Sequence, residues 1–131
     1  MSDYSTTRVL VIDDEPAICA SLSAFLEDYG FNASTAESAE EALDLMKNNT
    51  YDVCIVDLRL PGMSGEDLIL EARQRYPKQR HIIYTGSISY NLSDKLKQQG
   101  MRPEYVFLKP IRVLTLLVKC IKQLSGEAKA E

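Results

Sequence analysis

The 131-residue sequence predicts an α/β fold, a doubly wound parallel sheet with helices on both faces. Five short apolar segments alternate with segments of helical periodicity, which is the pattern of repeated strand–helix–strand units. The clearest apolar segments, 9–12 and 53–56, are apolar at every position. Such runs are typical of strands that are buried on both faces.

The first strand is predicted over 8–12, where the chain runs Arg-Val-Leu-Val-Ile. A helix then begins at Pro16, because proline suits the first turn of a helix, and Asp14 or Glu15 is its expected N-cap. Apolar residues at helical spacing continue until Gly30, which is a good helix stop.

A second, weaker strand is predicted over 31–36. Ser38 and Glu41 form a capping-box pattern, which opens a second helix that extends to about Asn49. The central strand follows over 53–56 and is bounded by turn residues.

The third helix is predicted to begin after Ser64, which is placed to cap it, and to stop before Pro77. The fourth strand covers 81–84. The segment 89–99 is the weakest helix prediction, because it is polar with few apolar anchors, and Gly100 closes it.

The fifth strand is predicted over 105–108, and the last helix covers about 112–124. These elements predict one domain over 8–124, since a chain of this length can bury a single core. The segment 1–7 is predicted to be a flexible N-terminus, and 125–131 a polar tail or the start of a linker.

The composition argues against several function classes. The net charge is −4 with a pI near 5.1, which argues against direct nucleic-acid binding by this domain. No apolar run approaches the length of a membrane span and no signal peptide is present, so we expect no membrane association. Cys19, Cys54 and Cys120 lie in apolar stretches, which predicts buried free thiols and a cytoplasmic location.

Chemically capable residues follow four of the predicted strands directly. Asp13 and Asp14 follow the first strand and Asp57 the third, while Thr85 and Lys109 follow the fourth and fifth. Because the carboxyl ends of parallel strands lie at one edge of a sheet, we expect these side chains in one crevice. Clustered carboxylates with no soft ligand favour Mg²⁺, and a metal-flanked aspartate can act as a nucleophile toward phosphorus.

This set of residues resembles the response-regulator receiver domains of two-component phosphorelays, a family that includes the chemotaxis regulators. The resemblance covers about 8–124. It implies a flavodoxin-like five-stranded sheet of order 2-1-3-4-5 and a cis peptide bond between Lys109 and Pro110. The matching motifs are Asp13-Asp14, Asp57 within D-L-R-L-P-G-M-S-G, Thr85-Gly86 and Lys109-Pro110.

The resemblance also implies a function. Asp57 would accept a phosphoryl group from the phosphohistidine of a histidine kinase or phosphotransfer protein, and Thr85 and Lys109 would assist. The domain would be a signalling switch that carries out only its own phosphorylation and dephosphorylation. The implied Mg²⁺ ligands are Asp14, Asp57 and the backbone carbonyl of Arg59, with Asp13 acting through water.

Two features depart from the family pattern. Receiver domains usually carry an aromatic residue at the position of Val106, whereas here the aromatics are Tyr105 and Phe107, which strand alternation directs to the other face. The loop 100–104 is also about two residues longer than usual. We therefore hypothesise that switching depends on Thr85 and the fourth helix, without an aromatic rotamer change.

The last helix carries two apolar stripes. One must face the sheet; the other comprises Val113, Leu116 and Cys120 and is either part of a broad buried face or a contact surface. The resemblance implies that a second copy or an effector binds the fourth helix, fifth strand and fifth helix, including Val106. The sheet-facing stripe is Leu114, Leu117, Val118, Ile121 and Leu124.

Two other functions were weighed against the switch. An aspartate-nucleophile phosphatase of the haloacid dehalogenase type needs a second acid two residues after the nucleophile, where this chain has Arg59. A pseudo-receiver that works without phosphorylation is disfavoured by the complete acidic set. His81, at the start of a strand away from the crevice, is predicted to be structural rather than a phosphohistidine donor.

Overall fold

In the computed structural model, which describes residues 7–87, 89–111 and 113–130 without the side chains of 127–130, five strands form one sheet. All four strand pairs are parallel. The strands are β1 (Arg8–Ile12), β2 (Asn32–Ala36), β3 (Val53–Val56), β4 (Arg80–Thr85) and β5 (Val106–Leu108). Their spatial order is β2-β1-β3-β4-β5, which confirms the predicted fold class.

Helices cover the sheet on both faces. Since the chain steps outward from β1 to β2 and then back past β1 to β3, right-handed connections place the first helix on one face and the next three on the other. The fifth helix packs on β3 and β4. The helices are α1 (Pro16–Asp28), α2 (Ala39–Asn48), α3 (Gly65–Arg75), α4 (Asp94–Gln98) and α5 (Leu114–Ala130).

The two central strands form the middle of the core. Residues 9–12 of β1 and all four residues of β3 are buried, as expected for strands that have helices above and below them. The predicted caps of α2 and α3 are also present, since the hydroxyls of Ser38 and Ser64 each accept a backbone N–H three residues later. No helix in the described ranges is long and apolar enough to cross a membrane.

The fourth helix is shorter than the sequence predicts. It begins only at Asp94, because the Ser93 hydroxyl accepts the N–H of Leu96 and so caps the helix there. The predicted segment 89–99 also contains Leu92, which is buried ahead of the helix rather than within it. The fifth strand begins one residue late, because Tyr105 closes a single turn of 3-10 helix.

The last helix extends six residues beyond its predicted end, to Ala130, while Arg112 at its predicted start lies outside the described residues. Ser125 is not part of a polar tail, because it is only 2% exposed and its Oγ lies 3.2 Å from Thr7 Oγ1. Thr7, which was assigned to the flexible N-terminus, is fully buried. Both residues therefore pack within the domain.

The cysteine prediction is correct for two residues of three. Cys19 and Cys54 are buried free thiols, whereas Cys120 is partly exposed. The reason is its position on the second stripe of α5, where Val113 and Leu116 are 52% and 53% exposed. The sheet covers only the first stripe, so the broad-face alternative is wrong.

Candidate functional site

The polar residues that follow the strands meet at one edge of the sheet, which we call the carboxyl edge. The backbone N–H of Asp57 donates to the carbonyl of Ile12, which places Asp57 beside the end of β1. The N–H of Lys109 donates to the carbonyl of Thr85 and joins the ends of β4 and β5. The peptide bond from Lys109 to Pro110 is cis, as the family resemblance predicts.

Three carboxylates form the centre of this edge. One ligand oxygen from each of Asp13, Asp14 and Asp57 lies within 4.8 Å of the others. Asp13 and Asp57 are buried, whereas Asp14 is exposed at the mouth of the cluster. A purely oxygen donor set with one accessible carboxylate fits a hard cation such as Mg²⁺, which keeps several of its waters.

Asp13 is fixed from the backbone side as well. Its Oδ1 accepts the N–H of Glu15 at 2.9 Å, at the start of α1. Glu15 occupies the N-cap position, but its own side chain caps nothing, so neither predicted capping side chain acts as a cap. The buried carboxylate of Asp13 binds the N–H of the N-cap residue itself and so couples the start of α1 to the acidic cluster.

Lys109 bridges two of the carboxylates. Its Nζ lies 2.7 Å from Asp13 Oδ2 and 3.2 Å from Asp57 Oδ2. Burial works to lower the pKa of Lys109, but the hydrogen bond to Asp13 and the charges of Asp57 and Asp13 outweigh it and raise the pKa. Lys109 is therefore charged, yet one ammonium leaves the three carboxylates with a net negative charge.

The pKa of Asp57 is raised from its ordinary value. Burial raises its pKa, and the charge of Asp13 adds to that rise. The N–H of Arg59, which donates to Asp57 Oδ1 at 3.2 Å, and the charge of Lys109 act in the opposite direction. A cation bound at the cluster would favour the ionised form of Asp57, which is the nucleophilic form.

Thr85 is buried at the same edge, and its Oγ1 accepts the N–H of Ser87 at 3.2 Å. No described residue accepts its hydroxyl proton, which can therefore be donated to a ligand. Arg59 contributes its N–H to Asp57, while the predicted role of its carbonyl as a metal ligand stays a prediction. The structure thus brings all the predicted site residues to one edge, and their individual roles remain to be tested.

Two glycines, Gly62 and Gly65, allow the close packing of the loop that follows Asp57. From the sequence they are expected only to form turns. A Cβ atom at Gly65 would overlap the backbone carbonyl of Asp57 and lie 2.8 Å from Leu58 Cα. Gly62 has φ +78°, and a side chain there would meet the carboxylate of Glu40. That carboxylate accepts the N–H of Met63, a long-range contact that no sequence pattern indicates.

Val106 and its two aromatic neighbours lie on opposite sides of β5. Tyr105 and Phe107 line a cleft against α5, whereas Val106 lines a different cavity together with Tyr90 and Leu92. An aromatic ring is therefore present on the side of Val106, but it comes from the loop after β4. The Tyr90 hydroxyl is buried, and no described residue forms a hydrogen bond with it.

Residues 9–121 match the family described as the response regulator receiver domain. Among curated proteins, the alginate biosynthesis transcriptional regulatory protein AlgB of Pseudomonas syringae pv. tomato is 33% identical over 128 residues. The match covers 94% of this chain but 28% of AlgB. The chain thus spans less than a third of that relative.

Solved structures of response regulators are similar in fold to this chain over nearly its whole length. The response regulator protein TrrA of Thermotoga maritima, solved in complex with Mg(2+)-BeF, is 29% identical with a TM-score of 0.79. That match covers 91% of this chain and 99% of TrrA. The beryllofluoride-activated NtrC4 receiver domain dimer is 32% identical, with a TM-score of 0.79, and the match covers 92% and 98%.

Proposed function

The chain belongs to the family of response regulator receiver domains of two-component signalling, and we propose that it is a switch phosphorylated on Asp57. The observation that carries this proposal is the bridging of Asp13 and Asp57 by Lys109 within a cluster of three carboxylates. This geometry puts a fixed positive charge beside an oxygen of Asp57, where a phosphoryl group would be attached.

The proposed reaction forms one bond and breaks one. An oxygen of Asp57 attacks phosphorus, the N–P bond of the donor phosphohistidine breaks, and the imidazole leaves with a proton. Lys109 stabilises the negative charge on the phosphoryl oxygens as a point charge, and the Thr85 hydroxyl donates to one of them. The donor is a histidine kinase or a phosphotransfer protein.

Mg²⁺ fits this acidic cluster, and when bound it supplies charge neutralisation for the phosphoryl oxygens. We propose that Asp14, Asp57 and the Arg59 carbonyl hold it directly and that Asp13 acts through water. The exposure of Asp14 supports this role, because a partly hydrated ion needs an accessible ligand. The relative TrrA was solved with Mg(2+)-BeF.

The product is an acyl phosphate, which water hydrolyses. The domain therefore returns to its starting state without a separate substrate being turned over, as expected of a switch. Since Lys109 contacts both Asp13 and Asp57, a phosphoryl group on Asp57 would compete with Asp13 for the ammonium and change the start of α1.

For output, we propose that the exposed stripe of α5 and the adjoining β5 and α4 form a contact surface for a second copy or an effector. Val113 and Leu116 are more than half exposed, and Cys120, which lines one cleft with Leu116, is partly exposed. Val106 is partly exposed on the other side of β5. Apolar side chains exposed in one patch favour association. The relative NtrC4 forms a receiver domain dimer when beryllofluoride-activated.

The direct test of phosphorylation is reaction with acetyl phosphate and Mg²⁺, followed by mass measurement of the intact protein. We expect a mass increase of one phosphoryl group that is lost on treatment with acid or base, because an acyl phosphate is labile in both. Asp57→Asn should abolish it, whereas Asp44→Asn, at an exposed position of α2, should not. Labelling that persists in Asp57→Asn would contradict the assignment.

The contact surface is tested by sedimentation velocity with and without beryllofluoride and Mg²⁺. We expect the sedimentation coefficient to rise with protein concentration in the activated state, and Leu116→Ser to suppress that rise. Tyr29→Ser, at an exposed position directly after α1, is the matched control. A chain that stays monomeric in both states would exclude dimerisation but leave phosphorylation untouched.

A further inference from the structure

A second charged site lies at the opposite edge of the sheet, where the strands begin. Arg80 is the first residue of β4 and Thr85 the last, so this amino edge lies roughly 16 Å from the carboxyl edge at the usual rise per residue. A cleft of about 320 Å³ opens there. We call it the arginine cleft, because its lining includes Arg73, Arg80, Arg102, His81, Gly100 and Tyr105.

We propose that the arginine cleft binds a small polyvalent anion, one that carries phosphate or several carboxylates. Three arginines are among its lining residues, and the described lining contains no carboxylate. This concentration of positive charge stands out in a chain whose net charge is −4. The volume lies at the lower end of the range for small-molecule sites, which suits a ligand somewhat larger than inorganic phosphate.

Among the described residues, the contacts that hold Arg73 in place are all with neutral atoms. Its Nη2 donates to the carbonyl of Gln99 at 2.6 Å, and its Nη1 donates to His81 Nδ1 at 3.2 Å and faces the sulfur of Met101 at 3.9 Å. A half-buried guanidinium without a charged partner is electrostatically costly. Burial and the charge of Arg80 lower the pKa of Arg73, and an anion in the cleft would offset both effects.

His81 serves as a neutral support for Arg73 and cannot act as a further cation. A guanidinium can only donate, so His81 Nδ1 must accept, and its proton is on Nε2, which donates to Gln79 Oε1 at 2.8 Å. Burial and the charges of Arg73 and Arg80 lower the pKa of His81 to about 3. The arginine is thus oriented before any ligand arrives.

Gly100 keeps the cleft open beside that guanidinium. It has φ +95°, and a Cβ there would lie 3.3 Å from Arg73 Nη2. Any larger residue would crowd the donor and strain the backbone. The long connection between α4 and β5 therefore does more than join two elements, because it supplies Gly100, Arg102 and Tyr105 to this site.

The test is a titration of the whole chain with sodium phosphate, and separately with citrate, at constant ionic strength, followed by backbone amide NMR. We expect saturable shifts at Gly100 and Arg102. Arg102→Ala should weaken the apparent affinity roughly threefold, as for loss of an exposed charge, and Arg73→Gln by about tenfold or more. Arg75→Ala, in the same helix but outside the cleft, should leave the affinity unchanged.

Arg102 is exposed, so Arg102→Ala should fold even if Arg73→Gln does not. Chloride at the same ionic strength should produce no saturable shift in the cleft. The proposal is overturned if phosphate and citrate both fail to saturate, or if Arg75→Ala weakens binding as much as Arg102→Ala. The proposal is also overturned if the saturable shifts occur around Asp57 and Lys109 instead of in the cleft. None of these outcomes tests whether Asp57 is phosphorylated.

Discussion

The two edges of the sheet place a buried cation in opposite surroundings. At the carboxyl edge, Lys109 is paired with Asp13 and Asp57, and negative charge is left over. At the amino edge, the contacts of Arg73 with described residues are all to neutral atoms, so its positive charge has no carboxylate partner among them. Each edge is therefore suited to a ligand of the opposite sign, a metal ion at one and an anion at the other.

The largest expected effect comes from a change that disrupts only the carboxyl edge. Gly65→Ala would push a Cβ into the backbone carbonyl of Asp57, and we expect a loss of about 3 kcal/mol in the free energy of unfolding. Urea denaturation measures it. Phosphorylation by acetyl phosphate should fall sharply, while phosphate binding in the arginine cleft should persist in the folded protein.

Gly126→Ala is the matched control, since a Cβ at this position of α5 meets nothing within 4 Å. Alanine favours a helix over glycine by roughly 1 kcal/mol, so this variant should be more stable than the wild type. If both glycine variants lost stability equally, close packing at Gly65 would not explain the effect.

The next effect uses pH to disturb the amino edge. The pKa of His81 is about 3 in the folded state against 6.5 ordinarily, so between these values the unfolded chain binds more protons than the folded one. The free energy of unfolding should therefore fall as the pH drops below 6.5. At pH 5 this single group should cost about 2 kcal/mol.

The measurement is denaturation of wild type and His81→Gln at pH 7 and pH 5. The variant lacks the titrating imidazole, so its stability should fall less over this interval, while the carboxylates contribute to both proteins alike. Equal losses in the two proteins would mean that His81 is protonated in the folded state, and Arg73 could not then donate to it.

At the carboxyl edge the same reasoning has the opposite sign. The pKa of Asp57 is raised, so between its unfolded and folded pKa values the folded state binds more protons, and this group's contribution to stability rises as the pH falls. At neutral pH its ionised form costs stability. Asp57→Asn should therefore be more stable than the wild type when no Mg²⁺ is added.

Adding Mg²⁺ should make the wild type more stable than Asp57→Asn. At ten times its dissociation constant, a ligand that binds only the folded state stabilises it by about 1.4 kcal/mol. Wild type and the exposed-site variant Asp44→Asn should show this gain, and Asp57→Asn should show little of it, in urea denaturation at constant ionic strength. An equal gain in all three proteins would place the metal elsewhere.

These two edges also differ in how far sequence predicts them. The carboxyl edge was predicted because Asp57, Thr85 and Lys109 each directly follow a strand, and strand ends of a parallel sheet must meet. The arginine cleft could not be predicted this way. Its arginines belong to a helix, a strand and a loop, and only the length of their side chains and the fold of residues 99–105 bring them together.

The ends of helices also show that tertiary contacts limit what can be predicted from local sequence. Ser125 and Gly126 look like a helix stop, yet the residues that follow are good helix formers and the Ser125 hydroxyl faces Thr7 in the interior. A tertiary contact thus overrides a local signal. The caps by Ser38 and Ser64 were predictable because each one is satisfied within its own first turn.

The smallest expected effect concerns buried polar atoms that have no hydrogen-bond partner among the described residues. The two such side-chain atoms are Arg8 Nε and the hydroxyl oxygen of Tyr90. Arg8 Nε is buried, but its guanidinium lies 5.2 Å from the centre of the Tyr51 ring, which provides a cation–π contact. The Tyr90 hydroxyl, in the loop after Thr85, has no comparable contact with the residues that the structure describes. Tyr90→Phe should therefore raise the free energy of unfolding by about 1 kcal/mol.

Tyr29→Phe, at an exposed ring directly after α1, should change stability by less than about 0.5 kcal/mol and serves as the control. A loss of stability in Tyr90→Phe would mean that a bound water satisfies the hydroxyl. The stabilities of Tyr90→Phe and Tyr29→Phe should also be measured with beryllofluoride and Mg²⁺, because the loop that carries Tyr90 begins at Thr85. If the gain disappears in that state, the hydroxyl has acquired a partner there, and the unpaired group belongs to the inactive state alone.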